Sequence, residues 1–260
     1  MSIVNPYQFN YEPVAASQTN QKLGLNGAAG DYIHRLVVNN TGNTLNTVTL
    51  SDLVSTTLAK DLFYAVDGFG ADIAGPSDLP VHGVTNYPQI GVDLYFDVYG
   101  ADALPNAPLN GYFLIDSEII KYTGMEYAAG TYVTIAARGC FGTAPASHAI
   151  NTPVTCLTAE LTSSAGMPQA GVALVASAEK VLYRSVSGNT LTLATRGYDG
   201  TSVANRAAGA AFSVGNSMVI QTAGAPIGTN SVELNAVCQT SGWKVTTTAN
   251  VTCVAVGNFT

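Results

Sequence analysis

CFGTAPASHAINTPV (Cys140–Val154) and YDGTSVANRAAGAAFSV (Tyr198–Val214) decide how this chain is read. Each follows an Arg-Gly pair, and each closes a stretch rich in Tyr, Thr and Val. With Arg138 set on Arg196, Gly139 falls on Gly197, Gly142 on Gly200, Thr143 on Thr201, Ala146 on Ala204 and Ala149 on Ala207. His148 falls on Arg206, and Phe141 on Asp199. Upstream, Glu118 and Tyr122 match Glu179 and Tyr183 once MEYAAG in the first copy is set against VSG in the second. The unit is therefore a strand with Glu and Tyr, a turn, a Thr-rich strand, Arg-Gly-x-x-Gly-Thr, a loop and a last strand.

Two readings compete for this unit. Glu, Arg and His could form an acid–base cluster, with Asp-Gly-Thr as a cation site. The second copy lacks the His and the first lacks the Asp, so the chemistry is not shared. What both copies keep is geometry. Glycines allow positive φ or close backbone approach, the planar Arg fork can span a loop, and a Thr hydroxyl can tie a turn. The sequence thus predicts a small β module used twice, with Glu118, Tyr122, Arg138, Gly139, Gly142, Thr143, Glu179, Tyr183, Arg196, Gly197, Gly200 and Thr201 in structural roles.

Composition sets the frame around the repeat. The 260 residues suffice for one large β domain or two smaller ones. Hydrophobic residues make up 47%, which excludes disorder, while charged residues are 10% against roughly 25% in an average soluble domain. So little charge suggests a surface covered by other protein. The net charge of −7 and singly scattered basic residues argue against nucleic acid. No apolar run reaches the ~20 residues of a membrane helix, and the first residues carry no signal-peptide pattern. The cysteines (Cys140, Cys156, Cys238, Cys253) form no C-x-x-C pair, and His34, His82 and His148 do not neighbour them at a zinc spacing. Cys140–Cys156 and Cys238–Cys253 could each pair as disulfides; reduced, buried thiols are the favoured reading. No cofactor is expected.

Along the chain, residues 1–28 show neither helical nor strand period and read as an extended arm. Tyr7, Phe9, Tyr11 and Val14 are its apolar contact candidates. YIHRLVV (Tyr32–Val38) reads as a strand with Ile33, Arg35 and Val37 on one face and His34, Leu36 and Val38 on the other. TLNTVTLSD follows as a second strand. SDLVSTTLAKDLF is the best helix candidate, and residues 70–90 read as loop. Many short strands between Gly and Asn turns predict an all-β sandwich or barrel.

The repeat resembles a β module of tailed-phage virion proteins, in which a G-x-hydrophobic-hydrophobic-x-x-x-E-hydrophobic-hydrophobic-x-Y strand precedes R-G-x-x-G-T and H-x-x-G-x-x-V. Here these read GYFLIDSEIIKY, RGCFGT and HAINTPV. Asn151 stands where the module has Gly, whereas Gly209 keeps it. PVAASQTNQKLGLNGAAGDYIHRLVV (Pro13–Val38) and GWKVTTTANVTCVAVGNFT (Gly242–Thr260) resemble the two ends of a phage capsid cement or decoration β-sandwich, with Thr248 in place of an expected Gly.

The resemblance implies a jelly-roll-like β-sandwich base with two inserted, repeated β modules and an extended N-terminal arm. The implied division is 1–28 arm, 29–90 base, 91–157 first module, 158–215 second module and 216–260 base. It further implies a non-enzymatic virion protein on the outer capsid surface, made in the host cytoplasm. Its partner would be the major capsid protein, its oligomer a trimer or a dimer, with the trimer favoured. A tail-fibre, baseplate or head-fibre adhesin touching the host surface through the inserted modules is the alternative. An enzyme is disfavoured. Glu118 and Glu179 occupy equivalent strands and read as repeat partners more than as a glycosidase pair, and there is no G-x-S-x-G or H-E-x-x-H. Trp243, the single Trp, is expected as a core or interface anchor.

Overall fold

A computed structural model of the chain describes residues 9–42, 46–65, 95–97, 106–127, 131–146, 148, 152–221 and 228–260. Tyr7, His82 and the loop expected over 70–90 lie outside them. The described chain is all β, in several antiparallel sheets, with two short 3-10 turns and no α-helix. No helix among the described residues is long and apolar enough to cross a membrane.

The strands begin with β1 (Asn10–Val14), β2 (Gln21–Lys22), β3 (Tyr32–Asn40) and β4 (Thr47–Ser51). There follow β5 (Val54–Thr57), β6 (Tyr64–Ala65), β7 (Tyr95–Asp97), β8 (Gly111–Ile115), β9 (Glu118–Tyr127), β10 (Thr131–Ala137), β11 (Val154–Cys156) and β12 (Thr158–Glu160). The chain ends with β13 (Gly171–Val175), β14 (Glu179–Ser187), β15 (Thr190–Thr195), β16 (Ala211–Val214), β17 (Ser217–Gln221), β18 (Gly228–Val237), β19 (Lys244–Thr247) and β20 (Val251–Asn258). Two compact units emerge. The first holds Met1–Val54, Ala165–Pro168 and Val214–Thr260, and the second Ser55–Ser164 and Gln169–Ser213.

The first unit is β-sandwich-like. One sheet runs β1-β20-β3-β18 and the other β17-β4-β19-β2. Period-2 alternation puts Val48 and Leu50 of β4 and Val245 of β19 into one core with Leu36 and Val38 of β3 and Cys253 and Ala255 of β20. Each Val or Leu among them contributes roughly 1.5–3 kcal/mol when fully buried. Strict alternation fails within β3, where Ile33 and Leu36 are both buried. The register explains it. Arg35 pairs with Val256 but Ile33 with Gly257, so β3 carries one extra residue, His34, and the bulge resets which face each side chain takes.

Residues 9–28 of the expected arm are built into this unit. β1 pairs with β20 from Asn10↔Gly257 to Val14↔Cys253, and Leu23 is fully buried. SDLVSTTLAKDLF also departs from the helix reading. Val54–Thr57 is extended, and Leu58 and Leu62 form bridges with Leu161 and Arg206 in the second unit. The run from Ser55 to Ala65 therefore belongs to the second unit and not to a base segment reaching residue 90. Its β-branched Thr residues favour extended backbone, and buried Leu58, Leu62 and Phe63 hold it there.

The second unit contains two sheets, β6-β11-β8-β9-β10-β7 and β12-β15-β14-β13-β16-β5. Phe113, Ile115, Ile120 and Tyr122 fill the interior of one, and Val181, Tyr183, Leu191, Leu193 and Phe212 that of the other. The rings of Phe113 and Tyr122 stack at 5.6 Å. Thr248, set where Gly was expected, does not take positive φ. Asn250 does, at 65°, while the Thr248 hydroxyl accepts from the Thr47 amide at 3.0 Å.

Candidate functional site

The densest group of buried ionisable side chains lies in the second unit, around Glu118 and around Glu179. Both glutamates open a strand, and both are fully buried. The two strand pairs bulge alike. Lys121 faces Ala137 and Tyr122 faces Ile135, as Leu182 faces Thr195 and Tyr183 faces Leu193. The extra residue at each bulge turns the end of the second strand, and so its Arg, back over the Glu.

Arg138 clamps Glu118 through Nε to Oε1 at 2.8 Å and Nη2 to Oε2 at 2.5 Å. The Gly139 amide donates to Oε1 at 3.1 Å and the Ala146 amide to Oε2 at 3.0 Å. Arg196 clamps Glu179 through Nε to Oε1 at 2.6 Å and Nη2 to Oε2 at 2.9 Å, and the Gly197 amide donates to Oε1 at 3.3 Å. In each cluster the Arg also reaches a loop carbonyl, Ala146 in one and Ala204 in the other. The bidentate fork is the strong form of this pairing.

The turns that follow share their backbone. Gly139 has φ 63°, ψ 32° and Gly197 has φ 63°, ψ 29°. A Cβ on Gly139 would sit 2.8 Å from the Thr143 carbonyl oxygen, and one on Gly197 2.7 Å from that of Thr201. Thr143 donates its hydroxyl to the Cys140 carbonyl at 2.8 Å and accepts from the Ile119 amide at 3.0 Å. Thr201 donates to the Tyr198 carbonyl at 2.9 Å and accepts from the Lys180 amide at 2.9 Å. Each Thr thus pins the turn to the start of the Glu strand. Gly142 and Gly200 have φ 83° and 76° with open space at the Cβ position, so they serve conformation alone. Tyr122 donates to the Pro108 carbonyl at 3.1 Å, and burial pushes the Tyr183 phenol up to about 12. Gly197→Ala is expected to lower the stability of the second unit by about 2–3 kcal/mol, from left-handed strain and the clash with Thr201, read by urea unfolding followed by circular dichroism.

The clusters differ at their third member. His148 places Nε2 2.9 Å from Glu118 Oε2 and Nδ1 2.8 Å from Asp116 Oδ2, with the ring 1% exposed. Arg206 places Nε 3.1 Å from Glu179 Oε2. Asp116 was not singled out in the sequence; its only signal is its place in the tight β8–β9 turn, where it takes φ 50°. Asp199 pairs with Lys180 at 2.5 Å on the surface, and Phe141 meets Tyr112 at 4.8 Å and the Arg184 guanidinium at 4.2 Å.

Electrostatics follow from these contacts. Burial alone would raise the Glu118 carboxyl, but Arg138, the Ala146 amide and His148 outweigh it and hold it down at about 2. Burial likewise opposes ionisation of Glu179, and Arg196 with Arg206 lowers it below the usual carboxylate range. The folded Glu118 binds its proton more weakly than the unfolded one, at 4.5. Its contribution is therefore complete above pH 4.5 and lost as pH falls toward 2, about 3 kcal/mol in all. Thermal midpoints across pH 5 to about 2 are expected to fall, and to fall less steeply in Glu118→Gln.

These oxygens are occupied by the chain's own donors, so neither carboxylate is poised to take a substrate proton. No group of three or more His, Cys, Asp or Glu suited to a metal ion occurs among the described residues. Cys140, Cys156, Cys238 and Cys253 are free thiols, and burial pushes Cys156 and Cys253 up to about 11.

The contact candidates separate. Val14 is 1% exposed in the first unit's core, so it faces inward and not toward a partner. Phe9 stacks on the His34 ring at 5.0 Å. Tyr11 is 66% exposed. Trp243 lies in the same core, its indole N–H donating to the Asp31 carbonyl at 3.1 Å. Sequence reading passed over Asp31 and Asp52, both buried, which bind backbone amides. Asp31 takes those of Ala28 and Thr260, and Asp52 those of Asn216 and Gln239. Comparison of the chain with protein-family models, with curated proteins and with solved structures gives no match.

Proposed function

We propose that the chain is a non-enzymatic structural protein of a tailed-phage virion, a cement or decoration protein bound to the outer capsid surface. In this reading it contacts the major capsid protein and steadies contacts between capsid subunits. The base is a jelly-roll-like sandwich, and the second unit holds two copies of one inserted module. The observation that carries the reading is the closed state of both Glu–Arg clusters. Their hydrogen-bonding capacity is turned on their own loops, as a rigid particle-surface module needs and an enzyme does not. The R-G-x-x-G-T resemblance supplies the phage context, and sparse charge suits a surface meant to be covered. Among the described contact candidates, Tyr11 is the one facing solvent. The resemblance alone favours a trimer and also allows a dimer.

The adhesin reading has one observation in its favour. Both 3-10 turns present an aromatic side chain to solvent, Phe141 at 49% and Tyr198 at 39% exposed. Adding the purified protein to undecorated, tailless heads and imaging by cryo-electron microscopy tests the choice. Density at regular lattice positions is the expected result. Bare heads, with the protein found on tails of intact virions, would overturn the cement reading in favour of the adhesin.

A further inference from the structure

Among the described residues the first unit has four sheet edges, and three of them carry a device that discourages pairing. β1 contains Glu12 and Pro13. β2 is two residues long and includes Lys22. β18 carries Glu233 and a register shift between Glu233 and Ala236, with Asn235 at φ 48°. Charge, proline, brevity and bulges are the ways an edge is kept from templating another chain. β17, SMVIQ, has none of them. It pairs with β4 in unbroken register from Ser217↔Ser51 to Gln221↔Thr47, and lies last in its sheet.

The side chains of β17 are incompletely covered. Met218 and Ile220 sit opposite Leu50 and Val48, both core residues, so they point to the interior face. Met218 is nevertheless 38% exposed, and Ile220 is only partly buried against the core. Val219, opposite Thr49 on the outer face, is 57% exposed. The sandwich core is open along this edge.

We propose that β17 is a self-association edge, which pairs antiparallel with β17 of a second copy about a two-fold axis through Val219. In that register Ser217 meets Gln221, Met218 meets Ile220 and Val219 meets Val219. Polar residues oppose polar ones and apolar oppose apolar, the favourable pattern for cross-strand pairs. Met218 and Ile220 of each copy extend the interior face of the other. Charge selects the same partner. The chain carries −7, so two copies repel over most of their surface, but neither β17 nor β4 contains a charged residue. Pairing on β1 would instead bring up Glu12 and the missing N–H of Pro13. A two-fold contact is isologous and closes on itself, so it ends at a dimer and does not propagate. Two sheets of four strands become one of eight.

The test is mass in solution with two variants. Wild-type protein at about 100 μM is expected at twice 26.8 kDa by light scattering. Val219→Lys opposes like charges at the axis. It is expected at the monomer mass with an unchanged circular dichroism spectrum, its dimer weakened roughly 100-fold or more. Val219→Cys in a Cys140→Ser background is expected to yield a covalent dimer under mild oxidant, because the residue faces its own copy. A wild-type monomer, or a dimer or trimer whose mass survives Val219→Lys, overturns the proposal. So does a Val219→Cys protein that does not cross-link. None of these outcomes depends on whether the protein binds heads.

Discussion

Glu179→Gln is expected to unfold the second unit under conditions in which the wild type is stable. Arg196 is 1% exposed at its side chain, and Glu179 is its anionic partner. The substitution keeps the size of the side chain but turns one acceptor into a donor aimed at guanidinium N–H groups. The buried Arg196 cation loses its counter-charge and keeps only neutral acceptors, the Phe63 and Ala204 carbonyls and one amide oxygen, and Arg206 loses its anionic partner as well. Removing one member of a buried pair costs about 3–5 kcal/mol, because the remaining charge has been taken out of water without compensation. The melting midpoint should fall by roughly 10 °C. Amides of Gly171–Thr195 should lose hydrogen-exchange protection to match. A fall of a degree or less would mean that the cluster is solvated and that the closed-site argument fails. Replacing Glu179, Arg196 and Arg206 together by apolar residues of similar volume should cost less than Glu179→Gln alone, since no orphan charge remains.

Trp243→Ala is expected to have a comparable effect on the first unit, again about 3–5 kcal/mol. The indole is 4% exposed among Leu23, Ile33, Val245 and Phe259, so truncation leaves a large void. The backbone around it is poorly placed to close that void. Gly242, at φ 112°, lies so near Gly27 that a Cβ would come within 2.6 Å of the Gly27 Cα. The Leu23 amide also donates to the Trp243 carbonyl at 2.9 Å. Trp243→Phe keeps most of the volume and removes the hydrogen bond to the Asp31 carbonyl, so it should cost only about 1–2 kcal/mol. Urea unfolding followed by circular dichroism separates the two. Equal losses would show that the hydrogen bond, and not the packing, is what the Trp supplies.

The sequence by itself determined the all-β class and the Glu and Arg of the two charge clusters, but not Asp116. Alternation in TVTLS and the turn chemistry of Gly and Asn are local properties, and they act on residues a few positions apart. The Glu–Arg and Thr–turn pairs were legible for a different reason: the chain spells them twice, so differences such as His148 for Arg206 could be set against what stays fixed. Tertiary structure decided where each segment docks. Hydrophobic period does not say which sheet a strand joins, so Val14 and Leu23 turned out to lie in a core and Leu58 and Leu62 in the second unit. Nor does it foresee a bulge, which is a mismatch between two strands and not a property of one. His34 moves Ile33 onto the face of Leu36 only because β20 has one residue fewer opposite it. Asp31 and Asp52 stayed hidden because their partners, the amides of Thr260 and Gln239, are distant in the chain and close only once the sheets have packed.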